Sequence, residues 1–167
     1  MSQVHPSKRS CVIIFAGVAL FVFALSQLGS YLIDSNLPIR ETYVVNSVLH
    51  ITHVRNFGGV FGLFQGAGNI FSIVSGIVIV LFVFFVYGYN DYNVFHYICF
   101  GLVLGGGASN ICDRMIYGSV IDFIDVQGIP YWHFVFNTAD VMIHLGVWPI
   151  MLMSMIGKKV EESARKI

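Results

Sequence analysis

Asn69-Ile-Phe-Ser-Ile-Val-Ser-Gly-Ile-Val-Ile-Val-Leu-Phe-Val-Phe-Phe-Val-Tyr87 runs without a charged residue or a proline. About 20 apolar residues in a helix cross the hydrocarbon core of a bilayer, so the stretch reads as a membrane span. The charge-free gap around it is longer, Asn56 to Asn90, and the glycine-rich segment Arg55 to Gly68 is expected outside the membrane or at its surface. Cys11 to Ile33, Tyr92 to Cys112 and Val141 to Gly157 are charge-free as well. These gaps predict helices over about 11–33, 69–87, 92–112 and 139–157, joined by long connections over about 34–68 and 113–138. Residues 1–167 are thereby expected to form a single polytopic membrane domain. The first span has a basic start like a signal peptide, but it is too long and lacks a small-x-small exit, so it is expected to stay as an anchor.

Composition agrees. The chain has 167 residues, 56% hydrophobic and 11% charged, with a mean hydropathy of +0.77, well outside the range of soluble domains. Net charge is zero and no basic stripe exists, which sets nucleic acid aside as a partner. Lys8 and Arg9 precede the first span, and Lys158, Lys159, Arg165 and Lys166 follow the last. Basic residues favour the cytoplasmic side, so both termini are expected there and both long connections on the outer face. Paired halves with interrupted helices, the mark of many transporters, are not evident. The three cysteines, Cys11, Cys99 and Cys112, lie in apolar spans and read as packing residues.

Within the first long connection, Glu41 to Val54 is rich in β-branched residues around Asn46-Ser47 and reads as a hairpin. Asn56 to Gly66, with Phe57, Phe61, Leu63 and Phe64, reads as a short interfacial helix. The fold class expected is an all-α membrane protein: a four-transmembrane-helix bundle with a small extracytoplasmic β-hairpin or sheet platform and that short helix. Gly101, Gly105, Gly106 and Gly107 on the third span suit close helix packing.

Four carboxylates gather toward one membrane face: Asp113, Asp122, Asp125 and Asp140. An ionised group at membrane depth is costly and calls for a reason. Asp113, with Arg114 beside it and Arg55 arriving from the first connection, reads as one half of an ion pair, and Asp125 as solvated. Asp122 and Asp140 have apolar neighbours on both sides. Brought close together, they would share one proton and supply an acid and a base for activating water against an amide. Asp140 also has a second reading, in which Asn137 caps the last helix and the acid favours its dipole. His50 and His53 are close enough in sequence to bind a metal, but on a hairpin they are expected to face water or headgroups. His144, one turn after Asp140, reads as either a tuner of that acid or a packed neutral ring.

Asn56-Phe-Gly58-Gly-Val-Phe61, Gly106-Gly-Ala-Ser-Asn110-Ile-Cys-Asp113-Arg114 with Gly118-Ser-Val-Ile-Asp122, and Phe136-Asn137-Thr-Ala-Asp140 together resemble the lipoprotein signal peptidase (signal peptidase II) family. The resemblance implies an intramembrane aspartic endopeptidase of the bacterial inner membrane that cuts prolipoproteins before their diacylglyceryl-modified cysteine. It implies Asp122 and Asp140 as the catalytic pair and Asn56, Gly58, Asn110, Arg114 and Asn137 as substrate-binding residues. Neither metal nor other cofactor is implied; the partners are the lipid-modified signal peptide, membrane lipid and a globomycin-type inhibitor. Where the family usually carries Asp-Gln-x-x-Lys at the end of the first span, this chain has Ser26-Gln27-Leu28-Gly29-Ser30. That departure leaves a non-catalytic lipoprotein-binding paralogue as the alternative.

Overall fold

The computed structural model describes residues 7–59, 66, 68–88 and 93–164, with side chains up to residue 156. Among these, four helices are long and apolar enough to cross a membrane: α1 (Lys8–Asn36), α2 (Gly68–Gly88), α3 (Val94–Tyr117) and α4, apolar over Thr138–Ile156 and continuing to Ala164. Most of the interfacial helix expected after Asn56 lies outside the described residues, as does the turn between α2 and α3.

Helix ends follow local chemistry. The Ser7 side chain accepts from Ser10 N (3.2 Å) at the start of α1, and Asn93 accepts from His96 N (3.2 Å) at the start of α3, each occupying an amide that the first turn leaves unpaired. The third helix was expected to stop at Cys112; it runs on to Tyr117 and ends on Gly118, whose left-handed φ of 72° closes the last turn. The first helix likewise extends past Ile33, carrying Asp34 in its final turn, where Arg55 pairs with it.

The central helix is α3, packed on α1 and α4 and more lightly on α2. Glycine makes this possible. A Cβ at Gly105 would stand 2.5 Å from Ala19 O, and at Gly101 2.8 Å from Phe15 O, so the α1-facing side of α3 touches backbone directly. At Gly106 a Cβ would stand 2.5 Å from Ala139 O, bringing the first turn of α4 equally close on another side. Gly105→Val is therefore expected to destabilise the protein by about 1–3 kcal/mol through overpacking. Gly76→Val, where a Cβ meets nothing within 4 Å, is the matched control, and thermal unfolding in detergent reads the difference.

The connections form a four-stranded antiparallel sheet in the order β1-β2-β3-β4: β1 (Thr42–Val44), β2 (Leu49–Asn56), β3 (Val120–Val126) and β4 (Val135–Phe136). The hairpin is β1 and β2, turning through Asn46, whose Oδ1 accepts from Val48 N and Leu49 N, both at 2.8 Å. The third strand alternates as strands do. Phe123 reaches α1, its ring 3.1 Å from where a Gly29 Cβ would stand, while Val120 and Asp122 face a cavity. His53 is buried rather than facing water or headgroups: Nδ1 donates to Leu37 O (2.6 Å) and Nε2 lies 4.0 Å from Asp34. Asp125 is half-buried, accepting from Thr52 Oγ1 (2.7 Å) and Gln127 Nε2 (2.6 Å), and is not merely solvated.

Candidate active site

Three residues one turn apart on α3, Gly106, Asn110 and Arg114, share a face and organise the site. Gly106 admits Ala139 of α4. One turn on, Asn110 Nδ2 donates to Asp140 Oδ1 (2.8 Å). After a further turn, Arg114 Nη2 donates to Gly58 O (2.9 Å), holding the chain that leaves β2, and Nη1 donates to Asn110 O (3.1 Å).

Asp140 stands in the first turn of α4 and joins a reciprocal cap. Its N–H donates to Asn137 Oδ1 (2.9 Å), and its Oδ2 accepts from Asn137 N (3.4 Å). This is a capping box with Asn and Asp in the two roles, so the capping reading of Asp140 holds at the same time as its place in the site. Asn137 has an amide group to spare. Nδ2 donates to Asp122 Oδ1 (2.8 Å) and to Asn110 Oδ1 (3.1 Å), so the two carboxylates are linked through the Asn137 and Asn110 side chains.

Asp122 reaches this point from β3. Val54 pairs with Asp122 and Asn56 with Val120, making Asn56 its diagonal neighbour on the same face. Asn56 Nδ2 donates to Asp122 Oδ2 (3.1 Å), while Asn56 Oδ1 accepts from Gly58 N (3.0 Å), a turn that fixes the amide. Asp122 is 4% exposed. Burial first, and then the charge of Asp140, push its carboxyl from the ordinary 3.8 up to about 7, against the lowering pull of Asn56, Asn137 and Arg114.

The four polar residues implied by the resemblance and, through its backbone, Gly58 thus fall with both acids within one network at the sheet end of the bundle. Asp113 behaves differently from expectation. It is 1% exposed and takes no ion pair among the described residues; Gln27 Nε2 (2.7 Å), Ser30 Oγ (2.8 Å) and Ile121 N (3.2 Å) donate to it instead. Arg55, its expected partner, pairs with Asp34 and lies over the Tyr117 ring, 5.2 Å from its centroid. Gln27 and Ser30 stood out only as part of the stretch that departs from the family's Asp-Gln-x-x-Lys, and not as partners of Asp113, because they sit inside an apolar span. Their polarity beside Gly29 was the available signal. Through Ile121 N the Asp113 node fixes β3 one residue before Asp122.

The network opens into a cavity of about 800 Å³ walled by α2, α3 and α4 and roofed by the Trp132–Phe136 segment. Its lining is apolar apart from the network, Ser75 and His144, and the Trp132 ring meets Phe134 edge-on at 5.5 Å. A peptide in this space would lie with apolar side chains against the helices and its backbone toward two carboxylates.

The family model described as Signal peptidase (SPase) II matches residues 18–156. A lipoprotein signal peptidase of Fusobacterium nucleatum subsp. nucleatum is 35% identical over 136 residues, covering 80% of this chain and 81% of that protein. Two solved structures, described as bacterial membrane enzymes determined by the in meso method, align with TM-scores of 0.78 and 0.73 at 27% and 28% identity. Each alignment covers 92% of this chain, and 92% and 97% of the respective structures. The match runs through every helix and strand that builds the network, and the chain belongs to the signal peptidase II family.

Proposed function

We propose that this multi-pass membrane peptidase is of the aspartic type, with Asp122 and Asp140 removing the signal peptide from prolipoproteins on the amino side of the lipidated cysteine. The observation that carries the reading is the bridge through Asn137: two carboxylates from different elements, that of Asp122 accepting from its side-chain amide and that of Asp140 from its main-chain N–H, at the wall of an apolar cavity. Near neutrality one carboxyl holds a proton and the other is ionised. The ionised one takes a proton from water, the water oxygen bonds to the scissile carbonyl carbon, and the protonated one hydrogen-bonds the carbonyl oxygen. Collapse breaks the C–N bond, and the leaving nitrogen receives a proton from the pair. Asn56, Asn110 and Asn137 hold the carboxylates in place, while Arg114 and Gly58 shape the wall where the substrate backbone lies.

The name of the Fusobacterium relative supports the prolipoprotein substrate, and the apolar cavity suits an apolar signal segment entering from the bilayer. The basic residues at both ends of the chain support cytoplasmic termini, which puts the sheet and the acids on the outer face. A globomycin-type cyclic peptide would occupy the same cavity as an inhibitor. Incubating the purified protein in detergent with a diacylglyceryl prolipoprotein should yield a product beginning at the lipidated cysteine, blocked by globomycin; intact substrate after prolonged incubation would overturn the reading.

A pH dependence follows. Above about 7 Asp122 loses its proton and the pair loses the acid the reaction needs, so the rate should fall on the alkaline side with a limb near 7. Stability moves with the same sign. The folded-state value lies above the unfolded one, so the contribution is full below about 4 and is lost as the pH rises through about 7. Melting temperatures at pH 5 and pH 8 should therefore differ, and the difference should shrink in Asp122→Asn.

A further inference from the structure

His144 stands apart from the network it neighbours. It lies one turn into α4 from Asp140, about 6 Å nearer the middle of the span, is exposed, and lines the same cavity. The structure removes the expectation of a packed neutral ring. Its Nδ1 is 2.8 Å from Asp140 O, and a carbonyl oxygen only accepts, so Nδ1 carries the proton. In the neutral ring Nε2 is then a bare acceptor. It meets no partner among the described residues, while the neighbouring Trp148 ring, 6.4 Å away between centroids and tilted by 32°, limits the imidazole's swing.

An acceptor has a use at this depth. An amide inside a helix is shielded by its own turn, so a peptide that reaches Asp122 and Asp140 from an apolar helical segment must first open that turn. The opened residues lose the partners of their N–H groups, and in surroundings without water each unpaired group costs several kcal/mol. The donor groups of Asn56, Asn110 and Arg114 are of the wrong polarity for this and already serve Asp122, Asp140 and Gly58 O. On the faces of α3 and α4 that line the cavity, Asn110 has its amide oxygen taken by Asn137 Nδ2, whereas His144 offers an acceptor with no partner among the described residues.

We propose that His144 is a substrate-binding residue whose Nε2 accepts a hydrogen bond from a backbone N–H of the peptide segment leading up to the scissile bond. The inference rests on the peptidase reading above, and it deepens that reading by naming what holds the opened turn. The residue contributes to binding rather than to bond breaking, so its signature is in KM.

The test uses the full-length protein in detergent with a diacylglyceryl prolipoprotein, comparing parent, His144→Leu, His144→Asn and His144→Gln. Losing one neutral hydrogen bond should raise KM about fivefold to tenfold in the Leu and Asn variants and leave kcat within about twofold. Gln places its Oε1 where Nε2 was and should stay close to the parent. An unchanged KM in His144→Leu with an active parent overturns the assignment alone. So does a fall in kcat at constant KM, which would place His144's effect on Asp140 instead. An inert parent overturns the peptidase reading and this assignment with it.

Discussion

Asp122→Asn and Asp140→Asn are each expected to lower kcat by about 10³-fold or more, because an amide replaces a group that must exchange a proton in the rate-determining step. The substitution is close to isosteric yet not silent in the folded state. Both oxygens of Asp122 accept, from Asn56 Nδ2 and Asn137 Nδ2, and both oxygens of Asp140 accept, from Asn110 Nδ2 and Asn137 N. An Asn at either place turns one NH2 toward another donor, at about 1–3 kcal/mol. Activity must therefore be read beside a melting curve and a substrate-binding measurement. A variant that melts somewhat early, binds substrate and cleaves none is the expected result; either variant cleaving within tenfold of the parent removes that acid from the catalytic pair.

Asn137→Ala carries the second large effect. It deletes the amide that spans Asp122 and Asn110, and the carbonyl that caps α4 through Asp140 N. Displacing a catalytic group by about 1 Å costs roughly 10²-fold in rate, and losing the cap costs about 1 kcal/mol. Asn137→Asp separates the two contributions: an Oδ still caps Asp140 N, but no amide remains to donate to Asp122, and a third carboxylate enters the cluster. It should recover most of the lost melting temperature without recovering kcat, and its alkaline limb should lie higher than the parent's. Recovery of kcat in Asn137→Asp would show that the amide bridge is dispensable.

The helices were legible because charge is absent over the length a bilayer demands, a signal that tertiary context rarely reverses. Their ends were less so. Asp34 and Asp113 were taken as boundaries, but each has polar partners that let it sit within a helix: Arg55 for the first, Gln27 and Ser30 for the second. Those partners lie far away in sequence, and nothing local announces them. The hairpin declared itself through β-branched residues around Asn46, whereas β3 and β4 did not, one being an apolar run interrupted by acids and the other two residues long. Asp122 and Asp140 stood out as acids among apolar neighbours, but the amide that links them was visible only as a helix cap. His53 shows the reverse: a ring read as surface is buried because Leu37 O and Asp34 receive it.

The reciprocal cap of Asn137 and Asp140 has a bearing on how such chains are classified. Those two residues start a helix whether or not any peptide is ever cut, so a descendant that had abandoned cleavage would still be held to them by folding. Asp122 is under no such obligation, since a strand needs no carboxylate to pair. On the aspartic mechanism proposed above, the aspartate on β3 would therefore be the position that separates a working peptidase from an inert scaffold, and a match confined to the final block would say little about activity.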